Sequence, residues 1–352
     1  ELPRVSVVIP AYNEETQIAS AVEAVINQDY PADRMQILVV SDASTDRTDE
    51  IVRRFENRGV QLLRIPERSG KTTAENLAQS HVTGEIIVNT DASIRLHPQA
   101  VRELAIRMAD PRVGVASGRD VSVSRMDADR NATEAGYIQY EMRVRRLETL
   151  TGGIVGASGS LYAIRAELQK LSIRGDLSRD FSAVLTARKH GLVAVSVDEA
   201  VCYVPRTGSL DREYKRKVRT ISRGMRTLHH ERRLLNPATF GLFALKLFSH
   251  KVCRWALPVA LIPGAVGLAL LAPDHPVALI ALAGGTLLAL LAAIGAFWPA
   301  AGKPPRVLSI AAFGVAANVA VLHALMRVTF TDAGAIWEPT RREESLRGTP
   351  TA

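Results

Sequence analysis

This 352-residue chain has very few cysteines, only Cys202 and Cys253. Two cysteines cannot build the disulfide framework that staples small secreted domains, and a chain of this length can bury a core without one. Neither stands in a His/Cys cluster with metal-ligand spacing, so both are expected as ordinary small apolar residues in a reducing, cytosolic setting. Two nucleotide-binding signatures are also missing. No G-x-G-x-x-G follows the first apolar run, Val5-Ser6-Val7-Val8-Ile9, which excludes the pyrophosphate turn of a dinucleotide-dependent dehydrogenase. The glycines at 152, 153, 156 and 159 come too late and at the wrong spacing. The segment Ser69-Gly70-Lys71-Thr72 has the tail of a P-loop, but its opening glycine is replaced by Ile65. The next residue, Pro66, has no N–H to offer a phosphate. The sequence begins at Glu1 rather than methionine and shows no signal-peptide pattern there, which leaves room for an upstream extension.

What is present is unevenly distributed. Hydrophobic residues make up 47% of the chain, yet 1–235 is mixed and charge-rich whereas 255–330 is almost wholly apolar. The net charge is +8, and the basic residues crowd just ahead of the apolar region. That placement favours a membrane surface or a phosphate-bearing substrate as partner, with no nucleic acid.

The first hundred residues alternate β-branched runs with helical periods. Val5–Ile9, Ile37–Val40, Gln61–Leu63 and Glu85–Val88 read as strands. Ile18, Val22, Val25 and Ile26, then Ile51, Val52 and Phe55, read as helix faces between them. Such alternation predicts βαβ units and a mostly parallel α/β sheet, on which ligands sit beyond the carboxyl ends of the strands. Those ends carry PAYNE (10–14), SDASTD (41–46), RIPERSGKTTAEN (64–76) and NTDAS (89–93). Several acidic and small polar residues with one lysine describe a pocket for a polar ligand carrying both phosphate and metal.

Residues 211–233 change character. Arg212, Arg216, Arg219, Arg223 and Arg226 step along one helix face, and Tyr214, Val218, Ile221, Met225 and Leu228 along the other. This predicts a basic amphipathic helix against anionic headgroups. Three apolar runs follow, 255–272, 277–298 and 307–326, each near the ~20 residues that cross a hydrocarbon core. Lys246, Lys251 and Arg254 precede the first run, which places the N-terminal part in the cytoplasm; Lys303 and Arg306 do the same for the second connection. Three crossings would carry the C-terminus outside, whereas WEPTRREESLR reads as cytoplasmic. Either one run does not cross fully or the tail departs from the charge rule.

VSVVIPAYNE, VVSDASTD, GKTTAEN, NTDAS, GASGSLYAIR and LSRDF, with WEPTRR after the last apolar run, resemble the inverting family 2 glycosyltransferases of the membrane-associated, processive-synthase type, in order and spacing. The resemblance spans roughly 4–345. It implies a GT-A-type nucleotide-sugar-binding mixed sheet with helices on both faces (1–210), interface helices (211–254), an α-helical membrane domain (255–330) and a basic tail (331–352). It implies an integral protein of the cell membrane whose catalytic domain is cytoplasmic. Its reaction would move sugar from a nucleotide-sugar, with UDP expected, to a glycan or lipid-linked acceptor.

On the same resemblance, Asp180 is the base. Pro10, Ala11, Tyr12, Glu14, Asp42, Lys71, Asp91, Arg216 and Arg219 contact the donor, and Gly156, Ala157, Ser158 and Gly159 shape the acceptor side. Asp91, with Ser93 in place of a second aspartate, holds Mg2+ or Mn2+. The chain departs from the family pattern at Ser41, Ser93, Arg179 and Thr220, where acids or a tryptophan are usual. Those departures keep open a non-catalytic membrane protein that binds a nucleotide or anionic lipid, with a P-loop ATPase as a third reading.

Overall fold

The computed structural model describes residues 1–123, 132–171, 173–205, 210–298 and 304–330. The expected basic tail 331–352 and Lys303 lie outside these residues, and the Arg212 side chain lies outside those described.

The four apolar runs form β1 (Val5–Ala11), β2 (Met35–Ser41), β3 (Val60–Arg64) and β4 (Ile86–Thr90). They are mutually parallel in the order β3-β2-β1-β4. Helices α1 (Ile18–Ile26), α2 (Thr48–Arg53) and α3 (Lys71–Ala78) connect them. Because side chains alternate across a strand, Val7, Ile9, Val39 and Val88 enter one core while Val8, Leu38, Val40 and Ile87 enter a second core on the opposite face. Burial on both faces is why these runs are continuously apolar.

Four further strands complete the sheet: β5 (Arg95–Leu96), β6 (Val113–Val123), β7 (Leu161–Arg165) and β8 (Val193–Pro205). The described order continues from β4 through β7, β6 and β8 to β5. Strand β7 runs antiparallel to both β4 and β6, so the sheet is mixed. Helices α4 (Ala100–Met108), α5 (Ala132–Leu150), α6 (Ala166–Gln169) and α7 (Arg179–Lys189) belong to this half. The loop from α5 to β7 turns at Gly153, whose φ of +112° and position against the Ala194 carbonyl (2.9 Å from where a Cβ would sit) require glycine.

Beyond β8 come α8 (Leu210–His230), α9 (Pro237–Leu247), a π-helical stretch Phe248–Cys253, and α10 (Arg254–Leu271), α11 (Pro276–Ala296) and α12 (Arg306–Phe330). Three helical segments, Pro237–Leu271, Pro276–Ala296 and Arg306–Phe330, are long and apolar enough to cross a membrane. The apolar face of α8 is not free to meet headgroups. Val218 and Met225 pack with Ala320, Val321 and Ala324 of α12, Tyr214 and Ile221 lie against that cluster, and Leu228 joins the second sheet core. Lys217 Nζ sits 3.7 Å over the Phe313 ring, and the Tyr214 hydroxyl is 3.2 Å from His323 Nδ1. Lys246 of α9 donates to the carbonyls of Glu148, Thr151 and Gly153, which ties the segment before the spans to the α5–β7 loop.

Neither cysteine forms a disulfide. Cys202 is buried and donates to Asp120 Oδ1 at 3.2 Å, while Cys253 is exposed just before α10.

Candidate active site

A cavity of about 560 Å3 opens at the carboxyl end of the parallel strands and extends beneath α8 to α10 and α12. Lys71, Asp91, Ser93 and Asp180 all line it, as do Pro10 and Glu14. The loop Gly156–Ala157–Ser158–Gly159, which the resemblance assigns to the acceptor side, and the arginines Arg216 and Arg219 line it as well.

Lys71 opens α3, directly after Gly70, whose φ of +88° turns the chain from strand to helix. Its Nζ contacts Asp91 Oδ1 and lies 4.0 Å from Glu75. Burial by itself pushes the Lys71 ammonium down, but Asp91 and then Glu75 more than offset this, and its pKa stands above the usual lysine value. The lysine is therefore charged and aimed at the carboxylate end of the cavity.

Asp42 stands outside the cavity lining. One of its oxygens accepts from Ser69 N–H and the other from Gly70 N–H, both at 2.8 Å. The backbone donors that a P-loop would offer to phosphate are thus already engaged by a buried carboxylate, an observation against the ATPase reading. Ala11 is buried, and Tyr12 carries the Arg68 guanidinium 3.9 Å above its ring; neither lines the cavity.

Asp180 is the second residue of α7, where the helix N-terminus favours a carboxylate. Ser178 Oγ donates to Asp180 Oδ1 at 2.5 Å, and Oδ2 lies 3.3 Å from where a Cβ on Gly159 would stand. The glycine lets the carboxylate approach the acceptor loop. Arg179, which stands where the resembled family has an acid, turns toward α3, 3.3 Å from Glu75 and in contact with Asn76.

Arg216 is held bidentately by Glu213, at 2.8 and 2.7 Å, and reaches the cavity from that pair. Arg223 donates to the Gly175 carbonyl at 3.0 Å, and burial lowers its pKa from the ordinary arginine value.

The sequence reading missed three polar groups of the cavity wall. Burial raises the Glu75 carboxyl above the usual range, only partly offset by Lys71 and Arg179. Tyr162 is buried with no hydrogen-bond partner for its hydroxyl among the described residues, and burial, followed by Glu75, pushes its phenol well above normal. Asp120 accepts from Ser158 Oγ with both oxygens, at 2.7 and 2.8 Å, and so fixes the acceptor loop. Glu75 and Tyr162 lie inside motifs already singled out, but their burial comes from tertiary packing. Asp120 lies on β6, which carried no signal.

Asp91 and Ser93, the residues the resemblance assigns to a cation, both line the cavity; among the described residues there is no group of three or more His, Cys, Asp or Glu placed to hold a metal. One carboxylate and one hydroxyl fit a hard divalent ion whose remaining ligands are substrate phosphates and water, the usual way Mg2+ is held.

A mixed GT-A-type sheet with a lysine and carboxylates gathered at its strand ends defines the class, a nucleotide-sugar transferase fold. Residues 6–170 match the domain family described as Glycosyl transferase family 2. It is 37% identical over 125 residues to the probable glycosyltransferase YdaM of Bacillus subtilis, covering 34% of this chain and 30% of that protein. It is 32% identical over 130 residues to an N-acetylglucosaminyltransferase of Rhizobium sp. strain N33, covering 36% and 28%. The chain thus spans under a third of the length of these curated relatives. A solved structure, the mannosyltransferase PcManGT from Pyrobaculum calidifontis in complex with GDP-Man and Mn2+, superposes with a TM-score of 0.71 at 26% identity, covering 94% of this chain and 88% of that one.

Proposed function

We propose that this protein is a membrane-bound inverting glycosyltransferase, moving a sugar from a nucleotide-sugar to a hydroxyl of a glycan or lipid-linked acceptor on the cytoplasmic side of the cell membrane. The convergence of Lys71, Asp91 and Asp180 on one cavity beside the acceptor loop carries this reading. The donor's diphosphate would lie at Lys71, whose point charge offsets the negative charge that develops as the nucleoside diphosphate leaves. Arg219 and Arg216 face the same space from α8. Asp180 would take the proton from the acceptor hydroxyl as that oxygen attacks the anomeric carbon from the face opposite the leaving group, which inverts the stereochemistry. Ser178 Oγ orients the carboxylate for that step. A divalent cation on Asp91 and Ser93 would supply Lewis-acid stabilisation of the leaving diphosphate.

UDP is the nucleotide carrier expected from the sequence resemblance, and the Pyrobaculum enzyme, solved with GDP-Man, makes GDP the other carrier to test. The full chain in detergent or nanodiscs, given Mn2+ or Mg2+, an acceptor-lipid extract and a panel of UDP- and GDP-sugars, is expected to release nucleoside diphosphate from one of them. Asp180→Asn should cut that release by roughly 10^2–10^4 while nucleotide binding persists. Absence of release from every donor, with nucleotide binding intact in the parent protein, would instead support the non-catalytic binding reading.

A further inference from the structure

Two cations of the cavity serve neither the donor site nor the base. Lys251, on the π-helical stretch just before α10, lines the cavity with its Nζ 3.3 Å from where a Cβ on Gly156 would stand and 5.1 Å from the Phe181 ring centre. It makes no hydrogen bond or ion pair among the described residues. Arg145 of α5 approaches the same loop from the other side. Its Nη2 donates to the Ala157 carbonyl at 3.4 Å, while its Nη1 is shut off from solvent with no hydrogen-bond partner. The nearby carboxylates are occupied elsewhere: Glu141 is 2.8 Å from Arg254 and 3.4 Å from His250, and Glu148 is 2.9 Å from His250. Half-buried cations with unused N–H groups cost stability unless an anion meets them.

We propose that Lys251 and Arg145 form an anion subsite at the Gly156 end of the acceptor loop, which receives the phosphate joining an acceptor headgroup to a lipid tail. The inference rests on the transferase reading and names its acceptor class. Asp180 stands at the Gly159 end of the same loop and Lys251 at the Gly156 end, so the base and the anion subsite are separated by one short turn of backbone. The donor's phosphates are matched by Lys71 beside Asp91 instead. Past Lys251 the cavity wall becomes apolar through Trp255, Phe313, Ala317 and Val321 of the membrane helices, the surroundings a hydrocarbon tail requires. A neutral glycan would leave the unused N–H groups of both side chains without a charged acceptor; a free anion would make no use of that apolar continuation.

The test is calorimetric titration of the full chain in neutral detergent with farnesyl phosphate, farnesol, inorganic phosphate and UDP or GDP. Farnesyl phosphate is expected to bind on the order of tenfold or more tighter than farnesol, and Lys251→Met or Arg145→Met to remove most of that preference. Farnesol affinity, nucleotide affinity and unfolding temperature should stay as in the parent, and Lys251→Arg should restore the preference. Equal binding of farnesyl phosphate and farnesol, or a preference that survives Lys251→Met, overturns the subsite. Lys251-dependent binding of inorganic phosphate as tight as that of farnesyl phosphate overturns the lipid assignment. Loss of nucleotide binding alone would strike at the transferase reading and leave the subsite result standing.

Discussion

Arg179 and Glu75 face each other 3.3 Å apart in the cavity wall, with side chains only 5% and 1% exposed. The arginine occupies a position where the resembled family has an acid, and the glutamate one turn beyond Lys71 answers its charge. Removing Glu75 leaves Arg179 buried without its carboxylate, and removing Arg179 leaves Glu75 with Lys71 alone, 4.0 Å away, so Glu75→Leu should destabilise by about 3–5 kcal/mol and Arg179→Met by less, while the double replacement recovers most of the loss. Denaturant unfolding in detergent checks this, and additive single effects would refute the pairing.

The same glutamate predicts a pH trend. A carboxyl whose folded pKa is raised by burial contributes stability that is fully present below its unfolded pKa and is lost as pH rises through the folded value. The stability of the parent relative to Glu75→Gln should therefore fall as pH climbs upward from the ordinary carboxylate range. Unfolding curves for both proteins across that range give the slope, and a parent that gains stability relative to the variant would contradict the raised carboxyl.

Gly159→Ala would place a methyl 3.3 Å from Asp180 Oδ2, closer than most Cβ contacts. The carboxylate must shift by a few tenths of an ångström, so transfer should slow by about tenfold or more, with donor affinity nearly unchanged. Steady-state rates with donor and acceptor varied separately distinguish this from a general loss of folding.

Ser93→Asp adds a second carboxylate next to Asp91. If the cation sits there, the variant should reach half-maximal activity at a lower Mn2+ concentration than the parent, because carboxylates hold hard cations more firmly than hydroxyls. Chelation followed by metal titration measures the shift; an unchanged titration would move the cation away from Ser93.

Ala43, in the loop after β2, adopts φ +55°, a left-handed conformation that disfavours side chains. Ala43→Gly should stabilise the protein by about 0.5–1 kcal/mol, the relieved strain being reduced by the freer unfolded glycine. Chemical unfolding settles the sign.

The parallel half of the fold was legible because β1, β2 and β4 are short apolar runs rich in β-branched residues and largely buried on both faces, each ending in turn residues, with β3 as the less buried edge strand. Strand β6 was not, since its second half mixes arginine, aspartate and serine and is held as a strand by pairing with β8. Lys71 and Asp91 could be read from the sequence because they follow β3 and β4 at the carboxyl edge of the sheet, whereas Asp180, which opens α7 after α6, was legible only through the family resemblance. Tyr162, Arg145 and Lys251 come from three distant segments, and tertiary packing alone brings them to the same space. The amphipathic pattern of α8 was correctly periodic, but periodicity does not say what covers the apolar stripe, which here is another helix of the chain.

That covering has a practical consequence for anyone wishing to study a water-soluble fragment. Truncation ahead of the hydrophobic hairpin would expose Val218, Ile221 and Met225 to solvent while Arg216 and Arg219 on the reverse side still had to hold their aim. On the proposed function, α8 carries cavity arginines on one side and an apolar stripe covered by α12 on the other, so a trimmed protein should clump or bind nucleotide more weakly.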